Sequence, residues 1–124
     1  MFDAASRGRY STDASIYQIE PVGVVVPALA AGNAVVLKPS ELTPATGAML
    51  GRLLGDAGLP ADLLQVVQGA RETGEALVQT GVDKVFFTGS EATGRAVATN
   101  CAGRLIPCVL ELGGSDPAIV LDDA

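Results

Sequence analysis

Short apolar runs alternate with segments of helical spacing from residue 34 onward, and this alternation constrains the fold more than any other feature of the sequence. The run AVVL at 34–37 is apolar at every position, as in a strand that is buried on both faces. Similar runs predict strands at 64–67, 84–88, 106–110 and 118–121. Between them, helix-start residues and terminating glycines predict helices at about 44–57, 73–80 and 90–100, with Thr73 as the cap of the second.

Strands and helices that alternate through short turns predict right-handed crossovers and a mostly parallel sheet. The sequence therefore predicts an α/β fold with crossover helices. Residues 7–13 show neither a helical nor a strand period, and residues 22–27 predict a short strand that ends at Pro27. We treat 1–27 as an N-terminal segment and 28–124 as a partial α/β domain.

Composition excludes several classes of protein. The chain has 124 residues, 48% of them hydrophobic, which is enough for one packed core. A net charge of −6 argues against nucleic acid as a partner. There is no apolar run long enough for a transmembrane helix, and the N-terminus lacks the pattern of a signal peptide, so we expect no membrane association and a cytoplasmic location.

The absence of histidine limits the chemistry that the chain can perform. It rules out Ser-His and Cys-His pairs and any zinc site that contains histidine, and two cysteines cannot complete a thiolate zinc site, so we expect no metal. Any general base must be Asp, Glu, Lys or Tyr. Cys101 and Cys108 fall in a predicted helix and a predicted strand, where small core residues are a better interpretation than nucleophiles.

Ligands of parallel sheets bind at the carboxyl ends of the strands, which directs attention to the residues that follow each predicted strand. Lys38, Ser40 and Glu41 follow the first strand, and Gly69 follows the second. A cation and a carboxylate there could hold sugar hydroxyls, but an ordinary solvated turn has the same composition.

Two further turns carry candidate residues. Gly89, Ser90 and Gly94 lie between a strand and a helix, where free backbone N–H groups attract phosphate, although many structural turns also contain glycine. The spacing is not that of the usual dinucleotide-binding fingerprint. Glu111 ends an apolar run before the Leu112-Gly113-Gly114 turn, and it is either a general base or a structural acid.

Several of these motifs in the same order resemble the aldehyde dehydrogenase family. They are PALAAGN at 27–33, VVLKPSE at 35–41, AGLP at 57–60, FTGS at 87–90 and LELGG at 110–114, and DDA at 122–124 also fits. The resemblance covers about residues 27–124. It implies a Rossmann-like NAD(P)-binding domain of an oxidoreductase, in which a cysteine thiolate attacks an aldehyde, hydride passes to nicotinamide and water releases the acid.

The resemblance also implies roles for the candidate residues. Lys38 and Glu41, with Ser40 between them, would hold the adenine-side ribose, and Ser90 with the turn from Gly89 to Gly94 would bind the pyrophosphate. Glu111 would activate water as the general base, while Leu112, Gly113 and Gly114 would let the chain pass close to the nicotinamide. Because the Glu41 carboxylate should repel a 2′-phosphate, NAD is the expected cofactor and NADP the alternative.

Three parts of the family pattern differ or lie elsewhere. The nucleophilic cysteine of the family lies downstream of the glutamate motif, beyond Ala124, and neither cysteine of the chain occupies its place. The family's Pro-Trp-Asn segment has no counterpart, since the chain has no tryptophan. Because Val26-Pro27 runs almost directly into ALAAGN at 28–33, a strand and part of a helix are expected to be deleted, and the family's oligomerisation segment and substrate domain are expected to be missing too.

The N-terminal segment resembles a different family. RGRYSTDAS at 7–15 and PVGVVVP at 21–27 resemble the start of FAD-linked oxidases of the glycolate and D-lactate oxidase type. The flavin-binding part of that family does not follow, so we expect no FAD. The chain then resembles a fusion of two fragments around residues 21–25.

The sequence leaves three functional hypotheses open. The first is a fragment of an NAD(P)-dependent aldehyde dehydrogenase that is inactive alone, with NAD(P) and an aldehyde as partners in a complete enzyme that forms homo-oligomers. The second is a non-catalytic dinucleotide-binding or interaction module. The third is a truncated or misassembled reading frame without a selected function.

Overall fold

A computed structural model describes residues 9–13, 20–114 and 119–122, and for residues 9–13, 20 and 21 it describes the backbone only. Strands and helices alternate along the described chain, as predicted. They are β1 Arg9–Asp13, α1 Glu20–Ala30, β2 Val35–Lys38, α2 Pro44–Asp56, β3 Leu64–Val66, α3 Arg71–Gln79, β4 Val85–Gly89, α4 Glu91–Ala102 and β5 Cys108–Leu112.

The five strands form one parallel sheet in the order β3-β2-β1-β4-β5. From β1 the chain first moves outward through β2 to β3 and then returns to the other side of β1 for β4 and β5. This is the doubly wound arrangement of Rossmann-like folds, so the predicted fold class is confirmed. The direction of winding reverses between β1 and β4, and ligands of such sheets bind at that point, beyond the carboxyl ends of the strands.

Each face of the sheet carries two helices and its own hydrophobic cluster. On what we call the α1–α2 face, Val25, Val35 and Leu37 are buried together with partly buried leucines of both helices. On the α3–α4 face, the buried cluster is Val78, Val82, Val85 and Cys101. Val35 and Leu37 of β2, two residues apart, belong to the α1–α2 cluster, whereas Val85 of β4 belongs to the α3–α4 cluster, as the alternation of side chains along a strand allows.

Glycine allows close packing of α2 and sharp termination of α1. A Cβ at Gly47 would lie 2.7 Å from the Pro39 ring, so only glycine lets α2 approach the end of β2 this closely. Gly32 adopts a φ of 82°, which turns the chain after α1. The backbone and side-chain amides of the buried Asn33 then donate to the Ala28 carbonyl, at 3.1 and 3.0 Å, and satisfy the helix end.

Two predictions for the N-terminal part are wrong. Residues 22–27 are helical rather than extended: Val25, Ala28 and Leu29 occur at helical spacing and pack on β2, so tertiary packing outweighs the strand preference of a valine run. Arg9–Asp13 forms β1, the central strand, although no periodicity marks it. Residues 7 and 8 lie outside the described residues.

The remaining corrections concern boundaries. The last strand is Cys108–Leu112 rather than 106–110, because the Ile106 amide donates back to Cys101 and the strand ladder begins only afterwards. α3 begins at Arg71 with Ala70 as its cap, so Thr73 is not the capping residue. No strand includes Ile119–Leu121, which contradicts the strand predicted at 118–121, and Ala118 lies outside the described residues.

None of the described helices has the length and apolar character needed to cross a membrane.

Candidate functional site

A cleft of about 470 Å³ opens at the carboxyl edge of the sheet, between α3 and α4. Three predicted cofactor residues, Lys38, Glu41 and Ser90, line it together. They come from the end of β2, the turn after it and the start of α4. The parallel topology therefore brings together residues that are about 50 positions apart in the sequence.

Lys38 forms the floor of this cleft and is only 6% exposed. Its Nζ donates to the carbonyl oxygens of Pro39 at 2.9 Å and Gly69 at 2.8 Å, and it lies 3.8 Å from a Glu41 carboxylate oxygen. Burial lowers the pKa of Lys38, and the Glu41 carboxylate opposes that shift. The lysine therefore ties the end of β2 to the turn after β3 while it holds a positive charge beside Glu41.

Glu41 and Ser40 differ in exposure although they are neighbours. The Glu41 side chain is 59% exposed, so its carboxylate can accept hydrogen bonds from a ligand. Ser40 is buried, and its Oγ accepts from the Leu42 amide at 3.2 Å. Ser40 thus shapes the turn that presents Glu41, and it does not itself line the cleft.

Ser90 caps the N-terminus of α4. Its Oγ accepts from the Thr93 amide at 3.3 Å and makes a 3.0 Å hydrogen bond with the Thr93 hydroxyl. Ser90, Ala92 and Thr93 line the cleft, so the first turn of α4 borders it, and the positive end of a helix favours an anion.

Gly69 and Gly94 are required by close contacts around the cleft. Gly69 has a φ of 151°, and a Cβ there would overlap the Thr73 side chain. A Cβ at Gly94 would overlap the side chain of Leu112, so the glycine lets α4 lie directly on the end of β5. The Gly113 amide donates to the Gly89 carbonyl at 3.0 Å, which holds the last turn against the end of β4.

Glu111 lies on the opposite face of the sheet. It pairs with Thr88, whereas the cleft residue Phe87 pairs with Leu110. The exposed Glu111 side chain borders a second cleft of about 290 Å³, together with Phe86 and with Gly23, Val24 and Pro27 of α1. The structure therefore brings the cofactor candidates together but separates them from the predicted general base by the thickness of the sheet.

Sequence reasoning missed the helical walls of the larger cleft. Arg71 and Glu75 on α3 form a 2.7 Å ion pair at its border. The α4 wall is made by small and polar side chains at helical spacing, namely Thr93, Ala96, Val97 and Asn100. That spacing of i, i+3, i+4 and i+7 is the sequence signal that could have identified this wall.

Neither cysteine is placed to attack a substrate in the cleft that Glu111 borders. Cys101 is fully buried, and burial together with the neighbouring Cys108 raises its pKa to about 11. Cys108 is half-buried on the α3–α4 face, away from Glu111. Within the described ranges, no group of three or more Cys, Asp or Glu side chains is placed to hold a metal ion.

Comparison with known proteins identifies relatives for most of the chain. The model of the aldehyde dehydrogenase family matches residues 19–124. The N-succinylglutamate 5-semialdehyde dehydrogenase of Klebsiella pneumoniae is 52% identical over 104 residues, which are 82% of the chain and 21% of that relative. The betaine aldehyde dehydrogenase of Rhizobium etli is 52% identical over 99 residues, 79% of the chain and 20% of the relative. The chain thus spans about a fifth of the length of these curated relatives.

Solved structures agree with the sequence matches. A betaine aldehyde dehydrogenase from Staphylococcus aureus in complex with NAD⁺ superposes with a TM-score of 0.83 at 34% identity, over 94% of the chain and 24% of that structure. A methylmalonate-semialdehyde dehydrogenase from Sinorhizobium meliloti, complexed with NAD, gives 0.80 at 30% identity over 90% of the chain and 23% of that structure.

Proposed function

The chain belongs to the aldehyde dehydrogenase family, and on that basis we propose that it forms the cofactor-binding part of an NAD(P)-dependent enzyme that oxidises an aldehyde. One observation carries the proposal: Lys38, Glu41 and Ser90 line a single cleft at the carboxyl edge of the sheet. Its volume of about 470 Å³ and its small side chains on α4 suit the adenosine half of a dinucleotide.

In this proposal the ribose lies between Lys38 and Glu41. Two N–H groups of Lys38 already donate to carbonyls, so the lysine contributes mainly by fixing the turn and the position of Glu41. The exposed carboxylate accepts the ribose hydroxyls. The amides at the start of α4 receive the pyrophosphate, beside Ser90.

The charges of the cleft favour NAD over NADP. A 2′-phosphate would have to lie close to the Glu41 carboxylate, and like charges repel. Arg71, the cation on the opposite wall, is already paired with Glu75. Both features reduce the attraction for an additional phosphate.

Glu111 acts as the general base in the proposed enzyme. Its exposed carboxylate can take a proton from water at the second cleft, while the bound nicotinamide supplies the hydride acceptor. Cys101 and Cys108 are unsuited to attack the aldehyde, so the thiolate comes from another part of the complete enzyme.

A non-catalytic dinucleotide-binding module is the second candidate, and the position of the two cysteines favours it. Both thiols belong to the interior or the α3–α4 face rather than to the face of Glu111. Such a module would bind NAD in the same cleft. It would contribute nothing to oxidation when it is combined with the rest of a family enzyme.

Calorimetric titration of the purified chain with NAD tests the proposal. We expect saturable binding, weakened about tenfold by Lys38→Met, because the variant removes the hydrogen bonds of roughly 1.5–3 kcal/mol that hold the turn presenting Glu41. Ser90→Asp preserves a good helix cap but adds a negative charge where the pyrophosphate would bind, so it should lower affinity without lowering stability. Arg52→Met on the exposed side of α2 removes one positive charge elsewhere and should leave affinity unchanged.

Absence of binding by a chain with a folded far-UV circular dichroism spectrum would contradict the cofactor site. Equal or tighter binding of NADP would contradict the preference assigned to Glu41. Combination of the chain with the remaining segments of a family enzyme separates the enzyme from the non-catalytic module: aldehyde oxidation that Glu111→Gln abolishes supports the enzyme.

A further inference from the structure

Cys101 and Cys108 are brought together by the connection between α4 and β5. Cys101 lies in the last turn of α4, and Cys108 is the first residue of β5. The backbone amides of Arg104 and Ile106 both donate to the Cys101 carbonyl at 3.0 Å. Leu105 between them adopts a φ of 55°, which reverses the chain. These features return β5 to the cysteine at which the turn began.

The two thiols belong to the same hydrophobic cluster on the α3–α4 face. Burial is the main cause of the raised pKa of Cys101, and the nearby Cys108 adds to it. Cys101 is fully buried, with Val78, Val82 and Val85 around it, whereas Cys108 is only partly buried and packs against that cluster. A disulfide between them would have a sulfur–sulfur bond of about 2 Å.

We propose that Cys101 and Cys108 are a reversible oxidation site that reacts with small disulfides and closes to an intramolecular disulfide. The site is separate from the cofactor cleft and does not depend on the proposed function. Its two thiols have distinct roles, because one meets solvent and the other does not. Cys108 is the thiol that the oxidant reaches first, and Cys101 is the resolving thiol.

The chemistry takes place in two exchange steps with a small disulfide RSSR. The Cys108 thiolate attacks RSSR, forming a mixed disulfide and releasing RS⁻. Cys101 then loses its proton and attacks the Cys108 sulfur, and a second RS⁻ leaves. In total, two protein thiols are oxidised, one RSSR is reduced to two RSH, and no other oxidant is needed.

Closure links the end of α4 to the start of β5 across six intervening residues. A crosslink restricts the unfolded chain more than the folded one, so the oxidised form should unfold at higher temperature. It also secures the helix whose first turn carries Ser90. We therefore expect a rise in Tm of a few degrees.

The test is to treat the native full-length chain with oxidised glutathione and follow its intact mass. We expect a product that has lost two hydrogens, with a Cys101–Cys108 link in its peptide map, and that dithiothreitol returns to the starting mass. Cys101→Ser should stop at one glutathione adduct on Cys108. Cys108→Ser should remain largely unmodified, because the remaining thiol is buried.

Three results would overturn the proposal: a wild-type chain that keeps a stable glutathione adduct, one that forms only disulfide-linked dimers, or one that does not react although both thiols react after unfolding in urea. Peptide mapping of the wild-type product decides the matter even if the serine variants fail to fold. A Tm that does not rise on closure would contradict the stabilising role alone.

Discussion

The two faces of the sheet differ in how firmly their functional groups are held. On the α3–α4 face, Lys38 is buried and bonded to two carbonyls, and Ser90 is fixed by Thr93. On the α1–α2 face, Glu111 projects from an edge strand into a cleft that is otherwise lined mainly by α1 and Phe86.

Under the proposed function, this difference indicates which role depends least on segments outside this chain. The cofactor-side groups are positioned by neighbours within the same hundred residues, so their geometry depends little on the rest of the protein. Glu111 is exposed, and its position depends on whatever packs on that face in the complete enzyme. Binding should therefore be more robust than chemistry, and the following substitutions probe the two faces separately.

The largest expected difference between the faces is in the pH dependence of stability. The α3–α4 cluster contains Cys101, whose pKa is raised from 9.0 to about 11, whereas the described α1–α2 cluster has no titratable residue. Between these pH values the folded state holds a proton that the unfolded state has lost, so stability falls as pH rises through this range. We expect this thiol to lower the free energy of unfolding by on the order of 2 kcal/mol across this range. Urea unfolding at pH values from 8 to 11 measures the change.

Cys101→Ala should reduce this alkaline slope, and Val25→Ala on the other face should lower stability by a similar amount at every pH without changing the slope. Lys38 changes stability in the opposite direction, because its pKa is lowered from 10.5 in the folded state. Between the lowered pKa and 10.5 the unfolded state binds more protons, so stability rises with pH there. The difference between wild type and Cys101→Ala isolates the thiol. An unchanged slope in that variant would contradict the assignment.

The faces also differ in how well the sequence predicts them. Buried strands such as Val35–Lys38 and Val85–Gly89 were predicted to within one residue, because their apolar runs are bounded by turn residues on both sides. The cofactor candidates followed from strand ends and from resemblance. Arg9–Asp13 was missed because a central strand of polar residues has no local signal, and its place is set by the partners β2 and β4. The strand that carries Glu111 lies two residues later than predicted, because the apolar run that suggested it begins at Ile106, whose amide still donates to the turn after α4.

Gly94→Ala tests how closely α4 must lie on β5. The new Cβ would overlap Leu112, and we expect a loss of about 1–2 kcal/mol of unfolding free energy together with weaker NAD binding, since a displaced α4 carries Ser90 with it. Urea unfolding and calorimetry measure the two effects.

The Leu112→Ala background provides the control for Gly94→Ala. With the leucine side chain shortened, the overlap disappears, and the alanine should become neutral or mildly stabilising through its better helix propensity. An equal cost in both backgrounds would show that the contact with Leu112 does not determine the need for glycine.

The smallest effect is expected from the same kind of substitution on the other face. A Cβ at Gly23 in α1 meets no atom within 4 Å, and glycine inside a helix costs roughly 0.5–1 kcal/mol relative to alanine. Gly23→Ala should therefore stabilise the chain by about 0.5 kcal/mol, opposite in sign to Gly94→Ala.

Gly23→Val decides between the helix of the structure and the strand that the valine run predicts. Valine should be less stable than alanine in a helix and more stable in a strand, so a valine variant that unfolds at higher urea concentration than the alanine variant would contradict the helical assignment of this segment.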